Sequence, residues 1–573
     1  MRAMFPHTDA RRAPLRTEIV LFRVAIGALV LLRLWLGSRL HVTPKVAPHD
    51  DLLFLDQAKA LLDGQWLGKL DALTLIKGPF YPLFIAATQV AGIRLIAAEQ
   101  WFYVASCGLF AVALTPWVPS RWGRALAFAV LAFNPMSFAT DPATRVIREG
   151  IYPALTLAVL ACSIGLVARI HRSLAVRTAW ALGLGFALSA FWLTREEGIW
   201  IVPSLLALAS IAVLQLRGWP AARAKTLLHA AVIPAFLLVA SIDGVIVTNC
   251  RKYSVCATTE FSTDWFSSAT RALYRVKPRQ EKPYYLLPRE ARERAYAVSP
   301  AFRELRPYIE GPLGEEWIRY GPCDALRICD DLAGSWVVWS VRDAVEMAGY
   351  YRAGADAVAS YYRRLASELE EACSTGRLEC TAAGRSILPP WRADYTARFI
   401  PTLFRAGWFV ASFTGFTPGS DSSRAPPRTL AVYASVREFD ESWETPPVRS
   451  ILSALGTAYS AVPLALLLAI GIYLLRCRIA LKIRRDVPVL VATGSIALAI
   501  LARLVLLTLI DVTSSPGISV LYAAPLYPLV LAFIVLALGQ AWWARQSAHA
   551  DLQGARDDHA RPPLLLAGPK GPP

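Results

Sequence analysis

Long apolar runs separated by short charged stretches recur along the chain. Runs at 19–36, 100–118, 124–140, 150–168, 178–194, 199–215, 227–248, 451–475, 487–510 and 518–541 are each near the roughly 20 residues a helix needs to cross a bilayer. They predict an all-α polytopic membrane protein with about ten transmembrane helices. Between 249 and 450 the pattern changes to mixed Trp, Tyr and charged residues with helical stretches such as Tyr350 to Cys373. A stretch of that length can bury a core of its own, and it reads as a large extracytoplasmic domain. The expected organisation is an N-terminal transmembrane module over 1–248 with its first outer loop at 37–99, the outer domain at 249–450, C-terminal helices over 451–541, and a tail at 542–573. That tail ends in Arg561-Pro562-Pro563 and Gly568-Pro569-Lys570-Gly571-Pro572-Pro573 and reads as a disordered cytoplasmic segment. No internal repeat is evident.

Charge fixes the expected orientation. With the N-terminus and its Arg2, Arg11, Arg12 and Arg16 in the cytoplasm, the inner stretches hold Arg121 and Arg124; Arg169, Arg172 and Arg177; Arg217, Arg223 and Lys225; Arg476, Arg478, Lys482, Arg484 and Arg485; and Arg545. Every predicted inner loop is then basic, as the positive-inside rule requires. The net charge of +17 and the mean hydropathy of +0.40 are thus accounted for by topology, and no basic patch interleaved with aromatics suggests a nucleic-acid partner. Met1 to Thr17 with the following apolar run reads as an uncleaved signal anchor. The expected location is the cytoplasmic (inner) membrane, with the outer loops facing the periplasm or exterior. The scheme requires Phe80 to Ala98 not to cross, so that stretch is expected along the outer leaflet. Phe399 to Phe416 is read the same way, with Arg398 and Arg405 on one helix face.

Six of the nine cysteines fall in the polar region in close pairs: Cys250 and Cys256, Cys323 and Cys329, Cys373 and Cys380. Local pairing into three small disulfide loops is the simplest expectation, and it agrees with an oxidising outer compartment. Their spacings are wider than CxxC and His is scarce, which argues against zinc.

Candidate chemistry concentrates after the first span. Asp50-Asp51 is followed by a short amphipathic run to Gly64-Gln65-Trp66 and then by Lys77-Gly78-Pro79-Phe80-Tyr81-Pro82. Ionisable residues beside other spans gather on the same expected side: Asp141, Arg145, Arg148, Glu149, Arg195, Glu196, Glu197, Asp243 and Arg503. Charges are expensive in a bilayer, so such a cluster suggests one outward-facing cavity. Plainer readings stand beside this one. Asp50-Asp51 suits a helix N-cap, Lys77 a snorkelling anchor, Arg145, Arg148 and Glu149 a local salt-bridge set, and Arg195-Glu196-Glu197 a solvated helix end. His49 reads as incidental rather than a metal ligand, and Tyr81, Tyr522 and Tyr527 as interfacial aromatics.

Asp50-Asp51, Leu61-Leu62-Asp63-Gly64-Gln65-Trp66 and Lys77-Gly78-Pro79 together resemble the first outer loop of the GT-C superfamily of membrane glycosyltransferases. Within it they are similar to the protein O-mannosyltransferase and aminoarabinose–lipid A transferase branch. Asn134-Pro135 followed by Asp141 and Arg145, and Leu521-Tyr522-Ala523-Ala524-Pro525-Leu526-Tyr527-Pro528, resemble further segments of that group. Gly78 departs from it, standing where a proline is usual. The resemblance covers roughly 20–200, and the large outer loop matches in position only.

The resemblance implies a GT-C-like fold and an inverting transfer of a monosaccharide from a polyprenyl-phosphate carrier to a cell-envelope glycan, lipid or protein. Asp50 or Asp51 would be the catalytic base, with Asp51 narrowly preferred. Lys77, the counterpart of the family's motif lysine, would bind the donor phosphate; Arg145, Arg148 and Arg195 are candidate helpers from their sign and side alone, with Glu149, Glu196 and Tyr81 as candidate support. The resemblance leaves metal dependence open: a divalent cation could bridge Asp50 or Asp51 to phosphate, and no cofactor is certain. The rival readings are a surface-polysaccharide polymerase or ligase, a transporter or flippase, and a non-catalytic assembly or sensor protein. An outer domain packed down over the first loop favours an enzyme, and one standing free favours a sensor.

Overall fold

The computed structural model describes residues 16–118, 120–216, 220–382, 391–418, 446–483 and 487–540. The predicted tail, the arginines before residue 16, and Arg217, Arg484 and Arg485 lie outside them. Among the described residues the chain is helical, with two isolated β-bridges and no strand. Seven helices are long and apolar enough to cross a membrane: Thr17–Ser38, Leu95–Ala113, Leu174–Thr194, Gly198–Gln215, Ala224–Tyr253, Pro446–Ala480 and Val487–Thr513. Three shorter apolar helices, Phe80–Val90, Tyr152–Ala168 and Leu526–Gln540, accompany them. This is a multi-pass, all-α membrane protein.

The run at 124–140 corrects the expectation of a continuous span. Its helix, Arg121–Ala132, has 12 residues, about 18 Å at 1.5 Å per residue. Pro135 offers no N–H, and the Asn134 side chain accepts the Met136 N–H and caps a new 3-10 turn, Pro135–Phe138. Irregular backbone of this kind survives only where protein covers it, and Pro135, Met136 and Phe138 are all buried. The stretch from Phe80 to Ala98 is likewise two elements, Phe80–Val90 and the start of Leu95–Ala113. Gly92, at φ +67, makes the break. The 11 residues of the first helix reach about 16 Å, half of a hydrocarbon core.

The helix Ala393–Ala411 leaves Ile400, Phe404 and Trp408 exposed at four-residue spacing. Its two arginines turn the other way. Arg398 donates to the Val512 carbonyl, and Arg405 pairs with Asp511 at 2.6 Å, so both engage the end of one neighbouring helix.

The outer region has its own core, in which Phe266, Leu273, Phe302, Val341, Tyr362 and Leu365 are buried. The three cysteine pairs join as expected, Cys250–Cys256, Cys323–Cys329 and Cys373–Cys380, while Cys107, Cys162 and Cys477 are free. The region packs down over the first outer loop. Ala72 of that loop belongs to its core, the Ala72 N–H donates to Glu346 at 2.6 Å, and the Glu260 N–H donates to the Leu75 carbonyl at 2.7 Å. Trp66 Nε1 donates to Asn249, and the Tyr253 hydroxyl to the Gly68 carbonyl, each at 2.8 Å.

Candidate active site

The helix Asp51–Leu62 begins at the centre of the site. Asp50 occupies its N-cap position, yet its side chain makes no capping hydrogen bond. The carboxylate turns instead to Lys77, whose ammonium donates both to Asp50 Oδ1 and to the His49 carbonyl. Lys77 is buried, and the Asp50 side chain stays 47% exposed. Burial pushes the Asp50 carboxyl up, but the charge and hydrogen bond of Lys77, with Arg145 and Arg148, outweigh it and hold Asp50 below the ordinary carboxylate value. Burial likewise depresses Lys77, against the opposing pull of Asp50.

Asp51 is placed differently. Its side chain is 0% exposed and forks onto Arg145, with Nη2 at 2.5 Å and Nε at 3.2 Å from Oδ2. The backbone N–H groups of Lys45 and Val146 complete its shell at 3.2 and 3.1 Å. Burial raises its pKa despite Arg145. The two adjacent carboxylates thus diverge onto two separate cations, and Asp50 is the one that opens outward. They offer no shared ligand set to a divalent ion. Among the described residues no group of three or more His, Cys, Asp or Glu side chains is placed to hold a metal.

Gly78 has a physical reason for being neither proline nor any larger residue. Its N–H donates to Glu196 Oε1 at 2.7 Å, and a Cβ there would overlap the Leu193 carbonyl. Glu196 also accepts from Arg148 at 3.0 Å, and Arg148 donates to the Thr194 carbonyl at 3.1 Å. Arg195 pairs with Glu149 and, at 2.8 Å, with Glu197. Burial raises Glu197, but Arg195, Arg503 and Arg148 bring it down to about 2. Arg503, fully buried, donates through Nη2 to the Tyr522 carbonyl at 3.1 Å and lies 3.7 Å from Glu197. Its Nε and Nη1, and Nε of Arg195, make no hydrogen bond among the described residues.

The residues singled out in sequence therefore meet at one end of the bundle, with the exception of Asp243, which is exposed on the long helix Pro220–Tyr253. Tyr81 and Tyr527 correct the interfacial reading: both are 0% exposed, while Tyr522 is 40% exposed. Tyr81 stacks edge-on against Phe54 and donates to Glu99 Oε1 at 2.8 Å. Glu99 escaped the sequence reading, as did Arg33, which is buried on Gln100, Ser137 and the Ala132 carbonyl. Their signal was present, since each is an ionisable residue inside an apolar helix. A small cavity, lined by Glu99, Gln100, Tyr103, Asn134 and Ser137 together with apolar residues such as Met136 and Pro153, reaches Glu149 of the site.

No family model and no curated protein matches the chain. Solved structures similar to it over most of its length include two of ArnT. ArnT from Cupriavidus metallidurans in the apo state is 14% identical, over 89% of this chain and 78% of that one, with a TM-score of 0.32. ArnT from the same organism bound to undecaprenyl phosphate is 13% identical, over 90% and 78%, with a TM-score of 0.29.

Proposed function

We propose that the protein is an inverting glycosyltransferase that moves a monosaccharide from a polyprenyl-phosphate carrier to a hydroxyl or amine of a cell-envelope acceptor, on the outer face of the membrane. The observation that carries this is the division of labour between Asp50 and Asp51. Asp50 is ionised, half open and beside a buried lysine, whereas Asp51 is sealed on Arg145. Asp50 is the general base, and Asp51 is a positioning residue for Arg145.

Asp50 takes the proton of the acceptor O–H or N–H as that atom attacks the anomeric carbon. The bond from the anomeric carbon to the phosphate oxygen breaks, and polyprenyl phosphate leaves with the electron pair. Lys77, Arg145 and Arg148 stabilise the growing negative charge in a setting sheltered from water. Arg195 and Arg503 add buried N–H groups that lack an acceptor among the described residues, a costly state that an anionic ligand relieves. An outer domain clamped on the first loop supports an enzyme over a free-standing sensor.

The test uses the full chain in lipid with a panel of radiolabelled polyprenyl-phosphate sugars. Transfer or hydrolysis that is lost in Asp50→Asn supports the reading. Full turnover in that variant removes Asp50 as base, and no turnover on any donor by the wild type overturns the donor class.

A further inference from the structure

His49 lies immediately before the proposed base, and its two halves face different parts of the molecule. Its backbone carbonyl is one of the two acceptors of the Lys77 ammonium, the other being Asp50 Oδ1. Its imidazole, partly exposed, packs against two tryptophans of the outer domain. Trp317 meets the ring edge-on at a centroid distance of 5.0 Å, and Trp339 does so at 5.3 Å. Asp343 stands 3.7 Å from Nε2 and is itself fixed by the Trp317 indole N–H at 2.9 Å. The ring nitrogen Nε2 is buried and makes no hydrogen bond among the described residues. The grip is therefore one of ring packing between the two indoles, not of a shared proton. The same domain also holds the chain on the lysine's side, through the Glu260 N–H on the Leu75 carbonyl two residues before Lys77.

We infer that His49 is a positioning residue through which the outer domain fixes the Lys77 ammonium beside Asp50. The backbone of residue 49 cannot turn without carrying away one of the two acceptors of Lys77, and its side chain is what keeps that backbone from turning. The kinetic consequence rests on the transferase reading; the positional one does not.

The experiment therefore reads both, on the full chain in lipid nanodiscs. The first readout is the rate at which an amine-reactive ester acylates Lys77, measured by mass spectrometry against exposed Lys69 as internal standard. In the wild type Lys77 is expected to react slowly. His49→Ala is expected to raise its labelling several-fold, and His49→Phe, which keeps an aromatic ring between the two indoles, to stay near the wild type. Trp317→Ala, which leaves the first loop unaltered, is expected to act like His49→Ala. The second readout is transfer. A displacement on the order of an ångström at the reacting groups costs up to about a hundredfold in rate, so His49→Ala is expected to lower kcat by ~10-fold or more with donor KM held, and His49→Phe to restore it. Unchanged Lys77 labelling in both His49→Ala and Trp317→Ala overturns the inference, as does a His49→Phe variant that behaves like His49→Ala. If labelling changes as described while the wild type turns over no donor, the positioning stands and the transferase reading falls.

Discussion

The two aspartates at the head of the first outer loop differ by one position in sequence and by their whole environment in the fold. Truncating one partner of a buried, hydrogen-bonded ion pair costs about 3–5 kcal/mol, because the other charge stays buried. Asp51→Ala leaves Arg145 in that state and is expected to lower thermal stability markedly along with activity. Asp50→Asn removes the base together with the counter-charge of Lys77, and general-base catalysis contributes about 10²–10⁴-fold. Its expected signature is a loss of turnover of that size, with a smaller fall in melting temperature than Asp51→Ala, because Asp50 is half exposed and an amide oxygen there still accepts from Lys77. Equal stability loss in the two variants would erase the distinction. The pH dependence follows from the same geometry. Asp50 works as a base only when ionised, so turnover falls as pH drops through a pKa held below the ordinary carboxylate value. Lys77→Met deletes the charge that holds it down and leaves the burial that raises it. The acid limb of kcat/KM is therefore expected to move to higher pH, besides the loss in kcat, and an unmoved limb would separate Lys77 from Asp50.

At the scale of elements, the outer domain's cysteines give a clean count. Three pairs are joined and three thiols are free. Protein denatured without reductant is expected to take up three maleimides, at Cys107, Cys162 and Cys477, and after reduction all nine. Six or more additions before reduction would undo the pairing. This feature was legible because partners six or seven residues apart need little beyond proximity. Most spans were legible for a related reason, since length and apolarity are local properties. The run at 124–140 failed because its apolar residues continue through Asn134-Pro135, where the helix cannot. The site was legible as a gathering of charges on one side, but not as pairs. Asp51 and Arg145 are 94 residues apart in sequence, and no local pattern tells Asp51 to take Arg145 while Asp50 takes Lys77. Gly78 was visible only as a departure from a motif. Its reason, an N–H owed to Glu196 and a carbonyl of Leu193 too near for a side chain, lies on a distant helix.

At the scale of the whole molecule, the bundle has two chemically distinct ends. One gathers the first outer loop, the 134–150 stretch, the turn at 195–198 and the outer domain, joined by the Asp51–Arg145, Arg148–Glu196 and Glu260–Leu75 contacts. The other gathers short basic connections, where Arg169 binds the carbonyls of Ala113 and Val112, and Arg177 reaches Thr226. On the proposed orientation, the positive-inside rule would put the second end in the cytoplasm, and the disulfides would put the first in an oxidising compartment. Neither signal depends on the other, yet both depend on Phe80–Val90 failing to cross, because one more crossing would invert every later loop. That makes orientation testable at two exposed positions, Asp356 in the outer domain and Ser173 in a basic connection. In intact cells, a membrane-impermeant maleimide is expected to label Asp356→Cys at once and Ser173→Cys only after the membrane is opened. The opposite pattern would put the disulfides in a reducing compartment and the proposed base on the cytoplasmic face. Labelling of both sites in intact cells would mean that the two ends are not separated by a bilayer, and the arrangement of donor, base and acceptor on one outer surface would lose its foundation.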